Sequence, residues 1–204
     1  WIRAGSDISG ATSSTYALVQ ADVGNAITVR VSYTDGEGTA ETATSSATSS
    51  VTNINDLVSG RPSITGATTQ GQTLTANTSA LSDADGLGSF SYQWIRAGSD
   101  ISGATSSTYA LVQADVGNAI TVRVSYTDGE GTAETATSSA TSSVANVNDA
   151  VSGAVTITGT VSQGETLTAN TSALSDADGL GSFSYQWIRA GSDISGATSS
   201  TYAL

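Results

Sequence analysis

"NAITVRVSYTD" spans residues 118–128. Apolar and polar residues alternate along it. Ile120, Val122, Val124 and Tyr126 fall on one side, and Thr121, Arg123 and Ser125 on the other. A period of two is the signature of a half-buried β-strand. Outward from this stretch, similar short runs follow one another between Gly, Asn and Asp. "PSITG" (62–66) predicts a strand with Ile64 inward. "QTLTANT" (72–78) puts Leu74 and Ala76 on one face. "SFSYQWIRAG" (89–98) puts Phe90, Tyr92 and Trp94 on one face. "STYALVQ" (107–113) reads as a short strand ending in a turn, and "TAETATSSATSSV" (132–144) as a long Thr-rich final strand. No segment carries a 3.6-residue period. About seven strands in roughly 90 residues favour a two-sheet β-sandwich, so the expected fold class is all-β.

The same letters recur. Trp1, Trp94 and Trp187 stand 93 residues apart, and of the 111 positions that can be compared at this offset only ten differ. All ten lie between Thr52 and Gln72, paired with Ala145 to Glu165. A 93-residue period is too long for a solenoid unit and suits a small autonomous domain. The variable stretch is rich in Asn, Asp, Gly and Ser and holds the single proline, Pro62. That is linker and turn chemistry. The expected organisation is therefore tandem: 1–56 as the C-terminal part of one repeat, 57–149 as a complete repeat with its core at 61–149, and 150–204 as the N-terminal part of the next.

Composition excludes much chemistry. The 204 residues carry 18 acidic and 6 basic side chains, a net charge of -12, with no His, Cys, Met or Lys. Without His or Cys there is no Ser-His-Asp triad, no cysteine nucleophile and no zinc site of the usual kind. Without Lys there is no Schiff base. An enzyme is not expected. A polyanion such as nucleic acid is repelled by such a surface. No apolar run is long enough to span a membrane as a helix. The acidity suits hard cations that take oxygen ligands.

Two motifs carry candidate sites on their residues alone. "SDADGLG" (82–88 and 175–181) sets two carboxylates two apart before glycines. This reads either as a Ca²⁺ ligand set using Asp83 and Asp85 (Asp176 and Asp178 in the next copy) or as a plain Asx turn. "YTDGEGTAE" (126–134) is a hairpin with Asp128, Glu130 and Glu134; Asp-Gly is a strong hairpin signal. Its acids reach a junction ion only if this tip faces the linker, and otherwise form a solvated turn. Asp115, ahead of Gly117, is expected to fix a corner by bonding local backbone. Phe90, Tyr92 and Trp94 are expected in the core rather than as a sugar-stacking platform.

In combination, "LSDADGLGSFSYQW", "ISGATSSTYAL", "ADVGNAITV", "VSYTDGEGT" and "NVND" resemble the tandem Ig-like or cadherin-like extender repeats of giant bacterial surface adhesins of the RTX type. The resemblance covers the whole chain. Its Trp94 and Asp115-x-Gly117 corner also resemble the immunoglobulin pattern, without the disulfide. What the resemblance implies is an extracellular spacer, stiffened by Ca²⁺, that holds a distal adhesive domain away from the cell. It further implies junction ligands in the "NIND" and "NVND" linkers, Asn53, Asn55 and Asp56, then Asn146, Asn148 and Asp149; read without it, the same residues make a flexible polar hinge. The implied partners are neighbouring repeats of the same chain. Two alternatives stand beside this reading. One is a glycan- or protein-binding module. The other is a fibre subunit whose complementary half-domains join head-to-tail with other copies by strand exchange.

Overall fold

The computed structural model describes every residue, Trp1–Leu204. It is all-β, with several small antiparallel sheets and two single turns of 3₁₀ helix, Gln20–Asp22 and Gln113–Asp115. The chain forms two compact units. The first comprises Trp1–Gly66, Thr73–Tyr109 and Ala119–Ser142, and the second Ala67–Gln72, Ala110–Asn118 and Ser143–Leu204. The linker segment 53–56 lies inside the first unit and 146–149 inside the second.

In the first unit the strand Ile120–Thr127 is buried at alternate residues, as its sequence predicts: Ile120, Val122 and Val124 are fully buried and Tyr126 nearly so. It lies between Ser91–Arg96 and Ala133–Thr137 in a four-stranded sheet, with Ser99–Asp100 outermost. Val122 faces Trp94 and Val124 faces Tyr92 across the ladder. A three-stranded sheet contains Ser63–Thr65, Thr73–Asn77 and Thr108–Ala110. The two sheets meet where Trp94 stacks on Tyr109 with centroids 5.7 Å apart. The Trp94 indole N–H donates to the Ser106 carbonyl at 2.9 Å, so the ring is buried without stranding its one polar atom. Leu74 is fully buried on the inner face of its strand. Burying side chains of this size contributes about 1.5–3 kcal/mol each.

The final strand is shorter than the sequence predicts. Regular pairing ends at Thr137. Beyond it, hydroxyls take over the work of carbonyls. Ser138 Oγ accepts from the Val122 N–H and Thr141 Oγ1 from the Ile120 N–H, both at 3.0 Å. The Ser138 and Thr141 N–H groups still donate to the Val122 and Ile120 carbonyls. Ser and Thr side chains compete with backbone for such bonds, and a run rich in them leaves the ladder without losing its hydrogen bonds.

The turn Gln20–Asp22 belongs to the first unit. Asp22 is fully buried. Its carboxylate accepts from the Val19 N–H at 2.8 Å, from Arg3 at 2.8 Å and from the Tyr16 hydroxyl at 3.0 Å. These bonds, the Val19 N–H first, hold its carboxyl below the usual range despite burial. Burial and the Asp22 carboxylate push the Tyr16 phenol up.

The second unit repeats the theme. Thr156–Thr158, Thr166–Asn170 and Thr201–Ala203 make a three-stranded sheet, and Ile188–Arg189 pairs with Ser192–Asp193. Trp187 stacks on Tyr202 with centroids 5.5 Å apart and donates its indole N–H to Ser199. Asp115 is fully buried and accepts from the Val112 N–H at 2.8 Å, the role its corner position predicts.

Candidate functional site

The "DADG" turn is built locally before anything else touches it. The Asp85 N–H donates to Asp83 Oδ1 at 2.9 Å, an Asx turn, and Gly86 follows at φ +93°, where only glycine is unstrained. The turn rests on the hairpin of the same repeat, because the Gly129 N–H donates to the Asp85 carbonyl at 2.9 Å. The Tyr126 hydroxyl donates to Asp83 Oδ2. Asp83 and Asp85 thus form the Asx turn that one of the two readings of the motif expects.

The linker 53–56 closes over this turn. The Asp56 N–H donates to Asp85 Oδ2 at 2.7 Å, and Gln20 Nε2 donates to Asp85 Oδ1 at 2.7 Å. Asn55 Nδ2 donates to Glu134 Oε1 at 2.9 Å. The hairpin therefore meets the linker at Glu134, on its second strand, while its turn meets the "DADG" loop through Gly129. Asp128 Oδ1 accepts from the Glu130 and Thr132 N–H groups at 3.0 and 2.7 Å. Its other oxygen, Oδ2, is buried and has no hydrogen-bond partner, and the same holds for Asn53 Oδ1. Glu130 is exposed and contributes its backbone to the turn.

Asp85, Asp128 and Glu134 are each more than nine-tenths buried. The Tyr126 phenol lies in the field of Asp128 and Glu134, together with Asp83. It is pushed well above its usual range, by burial first, then by the bond to Asp83, then by the charges of Asp83, Glu134 and Asp128. Three of the six arginines are engaged elsewhere, Arg3 on Asp22, Arg30 on Asp7 and Arg123 on Asp100.

In the second unit the same partners recur. Asp178 N–H donates to Asp176 Oδ1 at 2.9 Å. Asp149 N–H donates to Asp178 Oδ2 at 2.8 Å, and Gln113 Nε2 donates to Asp178 Oδ1 at 3.1 Å. Asn146 also bonds the Asp178 side chain, and with the Asp149 N–H and Gln113 it lowers that carboxyl below the usual range. Asn148 Nδ2 turns back onto the Asp149 carbonyl. Gln70 Nε2 holds Asp149 Oδ2 at 2.9 Å while its own oxygen accepts from the Val147 N–H. Gln113 Oε1 is buried without a partner.

Sequence reasoning missed the glutamines. Gln20, Gln70 and Gln113 carry neither charge nor motif. The one signal is position: Gln20 and Gln113 stand two residues before the buried corner aspartates, so the corner fixes where their amides point.

The side chains as arranged bring no three carboxylates together closely enough to hold a metal ion. The unpartnered oxygens are nonetheless of the chemical type that a hard cation takes. Buried oxygens without hydrogen-bond donors are costly, about 1–3 kcal/mol each. Asp128 Oδ2 and Asn53 Oδ1 are acceptors only, and they belong to the same unit as the buried carboxylates of Asp85 and Glu134. Oxygen donors of mixed carboxylate and amide type suit Ca²⁺. No protein-family model and no curated protein is matched by this chain. No helix is long and apolar enough to cross a membrane.

Proposed function

We propose that the chain is a structural spacer: tandem β-sandwich repeats of a bacterial surface adhesin or extracellular fibre, stiffened by Ca²⁺ at the junctions and projecting a distal adhesive domain. The observation that carries this reading is the buried, partnerless oxygen of Asp128, on a hairpin that is tied to the linker through Asn55 and Glu134. Asp128 Oδ2, Asn53 Oδ1 and Glu134 would hold the ion, with Asp83 and Asp85 shaping the turn next to it. When bound, Ca²⁺ supplies positive charge where buried carboxylates meet. The chain's own part is to preorganise oxygens and tie the linker down.

Near-identical copies support a spacer, since repetition multiplies length. The net charge of -12 supports divalent ions as stiffeners, because adjacent acidic repeats repel. The test is titration of Ca²⁺ into the metal-free chain. The melting temperature rises, and the maximum dimension from X-ray scattering becomes better defined. If saturating Ca²⁺ changes neither, the calcium-stiffened spacer is wrong.

A further inference from the structure

We infer that successive repeats are set in register by a hydrogen-bond latch that needs no metal, in which the second aspartate of each "DADG" turn is gripped by a glutamine and a linker amide. One carboxylate oxygen takes the Gln20 amide and the other takes the Asp56 N–H. The second latch uses Gln113, Asp178 and Asp149 in the same roles. The sequence separations are identical, 65 residues from glutamine to aspartate and 29 from linker amide to aspartate.

Three features make this a device rather than a pair of surface contacts. First, each end is fixed before the latch closes. Gln20 and Gln113 sit on 3₁₀ turns pinned by Asp22 and Asp115, whose carboxylates accept the Val19 and Val112 N–H groups. Asp85 and Asp178 sit on Asx turns closed by Asp83 and Asp176. Both partners are preorganised, so little rotamer entropy opposes closure. Second, both oxygens of the carboxylate are engaged by neutral donors, and hydrogen bonds to an ionised group are roughly twice as strong as neutral ones. Third, the linker contributes a backbone N–H and not a side chain. Ile54 and Leu57 therefore change to Val147 and Ala150 in the next copy without touching the latch. The gripping residues all lie outside the variable stretch 52–72 or supply backbone alone. Any repeat can thus follow any other in the same register.

The latch bears on the same junctions as the proposed calcium site but does not depend on it. The chain has no cysteine, so a pair can be introduced for spin labels at exposed Thr42 and Thr108, with distances read by electron paramagnetic resonance. In EDTA the parent gives one narrow distance distribution. Gln20→Glu, which sets like charge against Asp85, and Gln20→Asn, which is one methylene too short, both lose the narrow component. Circular dichroism of each variant verifies that the sheets persist, and a variant that unfolds is replaced by the other. A broad distribution in EDTA that narrows only with Ca²⁺ overturns the latch and leaves the calcium reading standing. A narrow distribution retained by both variants overturns it as well. A narrow distribution in EDTA, lost in both variants, with no response of the parent's melting temperature to Ca²⁺, upholds the latch and removes the calcium reading.

Discussion

Asn55 and Glu134 are 79 residues apart in sequence, and their side chains meet at 2.9 Å. Glu134 is buried, so its carboxylate relies on this bond and its neighbours in place of water. Replacing Asn55 by Ala leaves that carboxylate short of a donor, at a cost of about 1–3 kcal/mol. Replacing Glu134 by Ala also removes the bond, and the double substitution costs less than the two single costs added together. Urea melts of the four proteins measure this coupling. Strict additivity means the bond contributes nothing to the tie between linker and hairpin.

That pair marks the limit of what the sequence discloses. The strand Ile120–Thr127 was legible because alternation along a strand is local, and burial follows the same alternation. Trp94 as core was legible for the same reason. The motif "NIND" reads from composition as a linker, but its partners could not be read there. Which oxygen faces Asn55, and whether the Asp128 hairpin lies near the linker, depend on contacts between residues 79 and 65 positions apart. The glutamines stayed hidden because an amide gains its role only from what stands opposite it. The Ser138 and Thr141 hydroxyls likewise read as strand until their bonds to Val122 and Ile120 are seen.

Asp128→Asn separates turn from ligand. The amide oxygen still accepts the Glu130 and Thr132 N–H groups, so the hairpin is kept. The charge, and the free oxygen now buried at Oδ2, are lost. The Ca²⁺ concentration needed to raise the melting temperature is expected to increase at least about tenfold, the loss typical of even an outer-shell partner of a metal. An unchanged midpoint places the ion elsewhere.

Gly88→Ala tests how closely the "DADG" loop must approach the hairpin. A Cβ at Gly88 falls 2.0 Å from the Thr127 carbonyl oxygen, and one at Gly129 falls 2.5 Å from the Asp85 carbonyl oxygen. Neither obstacle is a flexible side chain, so the loop itself has to shift. The expected loss is about 1–3 kcal/mol, the range for overpacking. The loop carries Asp85, so the shift also weakens its bonds to Gln20 and Asp56. A melt indistinguishable from the parent means the loop has slack that the close approach denies.

The second latch should fail in acid in a defined window. The Asp149 N–H, Asn146 and Gln113 all favour the ionised form of Asp178, and they lower its carboxyl below the usual range against a smaller effect of burial. Asp176 is the other carboxyl at this turn, and it accepts the Asp178 N–H. A group whose folded pKa is depressed adds stability that is complete above its unfolded value, about 3.9 for Asp. That stability is lost as pH falls through the lower, folded value. The latch therefore stays closed at neutral and mildly acidic pH and opens only below about pH 4. Carboxyl carbon shifts of Asp178, followed by NMR through the titration, should give a midpoint below that of a free aspartate. The Gln113 side-chain amide protons should move with the same midpoint. A midpoint at or above the free value means that Asp178 is not gripped in solution, and the three donors on it then do not hold the junction.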